Sequence, residues 1–359
     1  MVTGYRAIAC RYDGGKLFWR RKDRKWRLRF KDVAKQAGVS TATVSKVMNG
    51  SYSISQETID RVKKVMQELD YHPNLRARNF VTQSTKTIVF VTSLGKNAGF
   101  ANPHMFEMVC GMEHVLTEKG YSLVIKNMSS VEARDYIHKA AEEKAADGYI
   151  IHAAVISKEL DEMIFQESIP HLVIGNPNFT SHFCWIDIDN RLAGELAAKH
   201  LLEQGCQSLA FIGGTEEDKI SMHRLDGVLS VLNEHDVLVP KDYVQRGESQ
   251  CDSGYEMTKE ILSNKVRPDG IICANNYIAY GCVNALHHAG IEIPSDIRVI
   301  TFDDYPFSQI LKPQLTVVNI DMYDMGIQAG KYILQKIRKP NLYAQSYITI
   351  PTLIVRQST

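Results

Sequence analysis

No stretch of the 359 residues stays apolar for the ~20 positions a membrane-crossing helix needs. The opening MVTGYRAIACRYDGG also lacks the basic start and long apolar core of a secretory leader. Cysteine is scattered: the seven (Cys10, Cys110, Cys184, Cys206, Cys251, Cys273, Cys282) are odd in number and never form a C-x-x-C pair. That speaks against a disulfide framework or a thiolate zinc site and for reduced thiols in the cytoplasm. Phosphate-cradling loops of the G-x-G-x-x-G or G-x-x-x-x-G-K-[ST] kind do not follow any strand-like run; GGTEED is isolated. His287-His288 and Glu113-His114 are adjacent pairs without the i, i+4 spacing that puts two zinc ligands on one helical face. No Ser/His/Asp signature stands out. These gaps leave little room for an enzyme, and neither a cofactor nor a metal is expected.

What is present is an ordinary globular composition, 44% hydrophobic and 23% charged, in a length that suits two or three domains. The net charge of +1 hides an asymmetry. Residues 1–86 carry 19 Lys and Arg against 7 Asp and Glu, a net +12, and the remainder carries 23 against 34, a net −11. A basic N-terminal part on an acidic body is the electrostatic footprint of a nucleic-acid-binding headpiece. Residues 1–29, with ten basic and two acidic side chains, show no amphipathic period. They are either a basic arm that tracks phosphate or the product of an over-called start, with translation beginning near Leu28.

Residues 30–50, FKDVAKQAGVSTATVSKVMNG, hold two short helix-patterned runs around a tight break. Val33, Ala34 and Ala37 share one helical face, and Val44, Val47 and Met48 repeat it. Gly38 suits the positive φ of a sharp turn, Ser40 can cap the second helix, and Asn49-Gly50 ends it. Helix, glycine turn, helix is the arrangement whose second helix enters the DNA major groove; the alternative is a helical hairpin that only packs. A third helix follows, capped by Ser55, with Ile59, Val62, Val65, Met66 and Leu69 as its buried stripe. The spacing thus predicts an all-α helix-turn-helix headpiece at 30–72, then a hinge helix or linker at 73–86.

From Thr87 onward, β-rich runs such as TIVFV, GYIIHAA, SLAFIGG, DGIICAN and VITFDD alternate with amphipathic helices, ending in a last strand near ITIPTLIVR. The pattern predicts an α/β core at 87–359 of two similar halves, each a doubly wound parallel sheet, with a ligand cleft at the strand C-termini.

In this order and spacing the chain resembles the lactose-repressor (LacI/GalR-type) family of bacterial transcription regulators from about Phe30 to Thr359. KDVAKQAGVSTATVSKVMNG is similar to the family's helix-turn-helix signature and LDYHPNLRARNF to its hinge motif. GGTEEDKISMHRLDG, ICANNYIAYG, VITFDD, KPQLTVV and PTLIVRQST resemble segments of its effector core. The resemblance implies a periplasmic-binding-protein-like two-subdomain core and a homodimer that binds a pseudo-palindromic operator in double-stranded DNA. It also implies a small-molecule effector and no membrane partner. The run LVIGNPN followed by CWIDIDNRLAG is most similar to members answering to maltose-type α-glucosides, so a carbohydrate is expected. The alternatives are a nucleobase or nucleoside effector and, against the attached headpiece, a solute-binding protein of the same fold. The chain shows no heptad tail of the tetramer-forming kind.

The same resemblance assigns site residues. Thr41 and Ala42 start the recognition helix and reach base edges; Lys46, where many relatives carry the forked Arg, can reach guanine acceptors or a phosphate. Ser40, Thr43, Ser45 and Asn49 suit phosphates or caps. In the hinge, Asn74, Arg76 and Arg78 face minor-groove edges or phosphate, and Phe80 stands where a leucine wedge is usual; its alternative is packing within its own domain. In the core, Arg224, Asn275, Asn276 and Asp303 converge on the effector, with Asn276 departing from a common Asp. Capping of the following loop is the alternative for Asp303. From the other half, placement at strand ends suggests Ser93, Phe106, His152 and Asn176, each with a purely structural role as its alternative, and Phe100, Phe179 and Tyr277 could stack on sugar faces.

Overall fold

The computed structural model describes residues 30–48, 53–71, 84–95, 103–237, 239–340 and 346–359. The N-terminal arm, Asn49, the hinge residues Asn74, Arg76, Arg78 and Phe80, and Phe100 therefore lie outside the described residues. The chain divides into two compact units, 1–81 and 82–359.

In the first unit α1 spans Phe30–Ala37, α2 Thr41–Met48 and α3 Gln56–Glu68. Gly38 takes φ +65° between α1 and α2, a conformation that costs a residue with a Cβ. The Val39 amide then donates back to Ala34 O at 3.0 Å and closes the end of α1. Ser40 caps α2 as expected, its Oγ accepting from the Thr43 amide at 3.1 Å. Ser55 sits at the N-cap of α3 but makes no side-chain cap bond. Its hydroxyl pairs with the Thr58 hydroxyl at 2.9 Å. Val33, Ala34, Ala37, Val44, Val47, Val62, Val65 and Tyr71 are buried, and Ile59, Met66 and Leu69 are half-buried at the margin. A core this small is near the lower limit for a domain that folds alone.

In the second unit the strands are β1 Thr87–Thr92, β2 Ser122–Asn127, β3 Gly148–His152, β4 His171–Ile174, β5 Trp185–Ile188, β6 Leu209–Gly213, β7 Val244–Arg246, β8 Gly270–Cys273, β9 Arg298–Phe302, β10 Thr316–Asn319, β11 Ser346–Thr349 and β12 Thr352–Ile354. The helices are α4 Pro103–Glu118, α5 Ser130–Glu142, α6 Lys158–Gln166, α7 Asn190–Glu203, α8 Lys219–Glu234, α9 Cys251–Leu262, α10 Asn276–His288, α11 Pro306–Ile310 and α12 Met322–Arg338. They build two six-stranded sheets, ordered β11-β5-β4-β3-β1-β2 and β12-β10-β9-β8-β6-β7. Every pairing is parallel except β10 with β12. The inner strands β1, β3, β4, β6, β8 and β9 read as continuous apolar runs because helices cover both sheet faces there.

The run ITIPTLIVR, expected as one strand, is two. Pro351 has no N–H to give a ladder, so pairing stops after Thr349 and resumes at Thr352 in the other sheet. This is one of three crossings between the halves; the others follow β5 and β10. The short α11 was not expected.

Close helix pairs hold the layers. A Cβ on Gly111 of α4 would lie 2.1 Å from Tyr323 O of α12, and one on Gly326 of α12 would lie 2.1 Å from Met108 O. Gly194 and Gly227 do the same for α7 and α8. Where the unit begins, the Asp147 carboxylate accepts from the Ser84 hydroxyl, the Thr85 amide at 2.6 Å, the Thr85 hydroxyl at 2.8 Å and the Lys86 amide at 3.2 Å. That clamp pins residues 84–86 to the start of β3.

Candidate functional sites

Burial divides α2 into two faces. Val44 and Val47 point into the small core, while Thr41, Ala42 and Lys46 are exposed and Ser45 is half-buried beside them. Spacings of one and four residues put these four on one helical face. Ser40 and Thr43 spend their hydroxyls on each other at 2.9 Å and on the cap, so they shape the helix start.

The second site is a cleft of about 1090 Å³ between the two halves of the core, lined by residues at the C-terminal ends of strands from both sheets. Its centre is built around Arg224, one turn into α8, 4% exposed. The guanidinium lies 4.2 Å above the Phe302 ring. Nε donates to Asn190 Oδ1 at 3.1 Å, Nη1 to Ala274 O at 2.6 Å, and Nη2 stands 3.7 Å from Asp303 Oδ2. Burial pulls its pKa down, opposed by Asp303.

Asp303 follows β9 with φ +72°, a left-handed conformation that Asp tolerates better than most residues with a Cβ. His104, in the first turn of α4 on the other wall, brings Nε2 to 2.9 Å from Asp303 Oδ2. The Tyr305 ring packs 4.5 Å from the imidazole, centroid to centroid. Burial alone would raise the Asp303 carboxyl; Arg224 and His104 outweigh it, and the group is held below its ordinary value. Burial, then Asp303, drives the Tyr305 phenol upward. Asp303 Oδ1 and His104 Nδ1 are buried with no hydrogen-bond partner among the described residues. Buried polar atoms left so are costly, and their presence at a cleft centre marks where a ligand's polar groups belong.

The other expected core residues divide. Asn275 caps α10, its Oδ1 accepting from the Ile278 amide at 3.0 Å. Asn276 lines the cleft but its amide is committed to the fold. Nδ2 donates to Phe302 O and Asp303 O, each at 3.0 Å, and Oδ1 accepts from the Ser308 hydroxyl at 3.0 Å. It therefore sets the Asp303 loop rather than offering a mixed donor and acceptor. His152 and Asn176 line the cleft from the ends of β3 and β4. Burial lowers the His152 pKa, and its Nδ1 accepts from the Ala154 amide at 3.2 Å. Ser93 and Phe106 are exposed and are not brought to the cleft. Tyr277 lines it, whereas Phe179 packs against Phe183 in a separate groove.

His104, Tyr305, Asp187, Asn190 and Asp218 reach the cleft without having been expected there, as do Met105, Met108, Met322 and Met325 on its apolar side. One signal for His104 was available: Pro103 is the favoured first residue of a helix, which places His104 in the opening turn.

Comparison with known proteins follows the same division. Residues 29–74 match the family described as "Bacterial regulatory proteins, lacI family", and residues 198–359 match "Periplasmic binding protein-like domain". The chain is 32% identical over 332 residues to the HTH-type transcriptional repressor PurR of Pectobacterium carotovorum subsp. carotovorum, covering 91% of this chain and 96% of that protein. It is 29% identical over 329 residues to Catabolite control protein A of Staphylococcus epidermidis, covering 91% and 98%. Among solved structures, the transcriptional regulator CelR-cellobiose complex superposes with TM-score 0.68 at 26% identity, over 93% of this chain and 100% of that one. The lac repressor dimer bound to operator and the anti-inducer ONPF shares the fold, with TM-score 0.73 at 23% identity, over 92% and 98%.

Proposed function

We propose, from the premise that the chain belongs to the lacI family of bacterial regulatory proteins, that it is a transcriptional repressor whose hold on operator DNA answers to a neutral, hydroxyl-rich small molecule. The family is one of DNA-binding regulators, not of enzymes. The observation that carries the reading is the buried set Arg224–Asp303–His104 in the cleft. It pairs a forked donor with a carboxylate oxygen and a ring nitrogen that lack partners among the described residues. A sugar supplies adjacent hydroxyls that each donate and accept, which is what this arrangement asks for. Cellobiose in the related CelR complex lends support to a carbohydrate. A nucleobase or nucleoside is the second reading, favoured by the adjoining His104 and Tyr305 rings and the four methionines on the apolar side.

At the DNA end, Thr41, Ala42 and Lys46 read base edges from the exposed face of α2, and Ser40, Thr43 and Ser45 order its start and its approach to phosphate. Asn49, Asn74, Arg76, Arg78 and Phe80 keep the roles that the family resemblance implies, the last four as a hinge on the minor groove. The working unit is a homodimer on a pseudo-palindromic site. Its pairing face includes β2, an edge strand with Val124 and Ile125 exposed, and Phe106 on α4. Uncovered apolar edges of this kind are normally paired or blocked.

Two measurements test this. DNA recovered from a random pool by the full chain is expected to contain two related half-sites about one helical turn apart. A thermal-shift screen of neutral sugars is expected to raise Tm with at least one of them. Recovery of DNA without a repeated half-site, or a flat response to every sugar, would overturn the corresponding half.

A further inference from the structure

The first turn of α4 and the loop after β9 stand on opposite walls of the cleft, and direct side-chain and backbone contacts join them. Three contacts do so: His104 Nε2 to Asp303 Oδ2 at 2.9 Å, the His104 amide to the Tyr305 phenol oxygen, and the packed His104 and Tyr305 rings at 4.5 Å. An ionised carboxylate only accepts, so Nε2 carries a proton and the second ring nitrogen, Nδ1, is the one left to a ligand. Both this atom and Asp303 Oδ1 are buried without a partner among the described residues. The contact is therefore half-complete on each wall.

We propose that His104 is a latch between the two halves of the core and a specificity-determining residue of the cleft. It holds α4 to the Asp303 loop and leaves one unpartnered polar atom on each wall, His104 Nδ1 and Asp303 Oδ1, for the hydroxyls of a ligand. A ligand with two adjacent hydroxyls bridges Nδ1 and Oδ1 and completes the latch. A ligand that brings a phosphate or carboxylate there faces Asp303 and is rejected. The hydroxyl-rich class rests on the reading of the cleft given above; the latch itself does not.

The test uses the full chain with two substitutions. His104→Phe keeps a ring against Tyr305 and removes both nitrogens, whereas His104→Gln retains a donor and an acceptor. Hydrogen exchange is followed in α4 and in residues 303–308. The expected result is exchange about tenfold faster in His104→Phe, with His104→Gln near wild type. Equal exchange in His104→Phe and wild type would overturn the latch. In the second arm cellobiose, maltose and ribose are titrated into each protein, and the strongest binder is expected to lose about tenfold in affinity with His104→Phe and to recover with His104→Gln. Unchanged affinity in His104→Phe would overturn the role in specificity. If wild type binds none of the three, adenosine and hypoxanthine are titrated in their place under the same criterion. Such a result counts against the sugar reading, while exchange still decides the latch.

Discussion

Individual side chains here carry roles that their chemistry states more sharply than their position in a motif. Asn276 has both amide hydrogens on backbone carbonyls and its oxygen on Ser308. Asn276→Asp keeps the shape and removes the donors, so it should lose ~1–3 kcal/mol in denaturant unfolding. Ligand affinity should fall with it, because the Asp303 loop loses its anchor. The family resemblance marked Asn276 as a ligand contact; one chain's sequence cannot show that two carbonyls of a distant strand end claim the same amide. Arg224 and Asp303 were legible because the segments that carry them, HRLDG in α8 and VITFDD at the end of β9, match the family's pattern. The pairing of His104 with Asp303 was not, since the two stand 199 positions apart in the chain. His171 offers a pH test. It donates from Nδ1 to Ile169 O at 2.8 Å and accepts from the Cys184 amide at Nε2, 3.2 Å. Burial lowers its pKa to about 4. The unfolded chain binds that proton near pH 6.5, so the folded state should lose up to ~3 kcal/mol as pH falls from about 6.5 to 4. Stability measured across that window should flatten in His171→Gln.

At the scale of elements, the period of apolar residues gave away most helices and nearly every strand, because a parallel strand buried on both faces has a distinctive run of branched side chains. The exceptions have local causes. Pro351 breaks the last run into β11 and β12, and Ser55 stands at the N-cap of α3 without the expected side-chain cap. The glycine pairs could not be recognised from spacing. Only the structure shows that a methyl group on Gly326 would meet Met108 O at 2.1 Å. Gly326→Ala should separate α4 from α12 and cost ~1–3 kcal/mol, read as a lowered midpoint in urea. On α2, Lys46→Ala should weaken the selected DNA site by ~1–3 kcal/mol while changing random DNA less. Equal loss on both would reduce Lys46 to a phosphate contact.

For the whole molecule, the division into a DNA-facing unit and a two-sheet core was legible from charge asymmetry and from the change of period at Thr87. The cleft's walls were legible only in outline, since they depend on which strand ends the three crossings bring together. Val124→Lys with Ile125→Lys should halve the mass seen by light scattering and abolish protection of the paired half-sites, without lowering Tm by more than ~1 kcal/mol equivalent, as expected of surface positions. The most direct measurement is the affinity of the full chain for its selected DNA site, by fluorescence anisotropy, with and without a saturating concentration of the sugar that gives the largest thermal shift. A coupled regulator should show a change of about 5- to 150-fold, and the same factor must appear in sugar affinity measured with and without DNA. Identical DNA affinity in both conditions would contradict the coupling of headpiece to cleft.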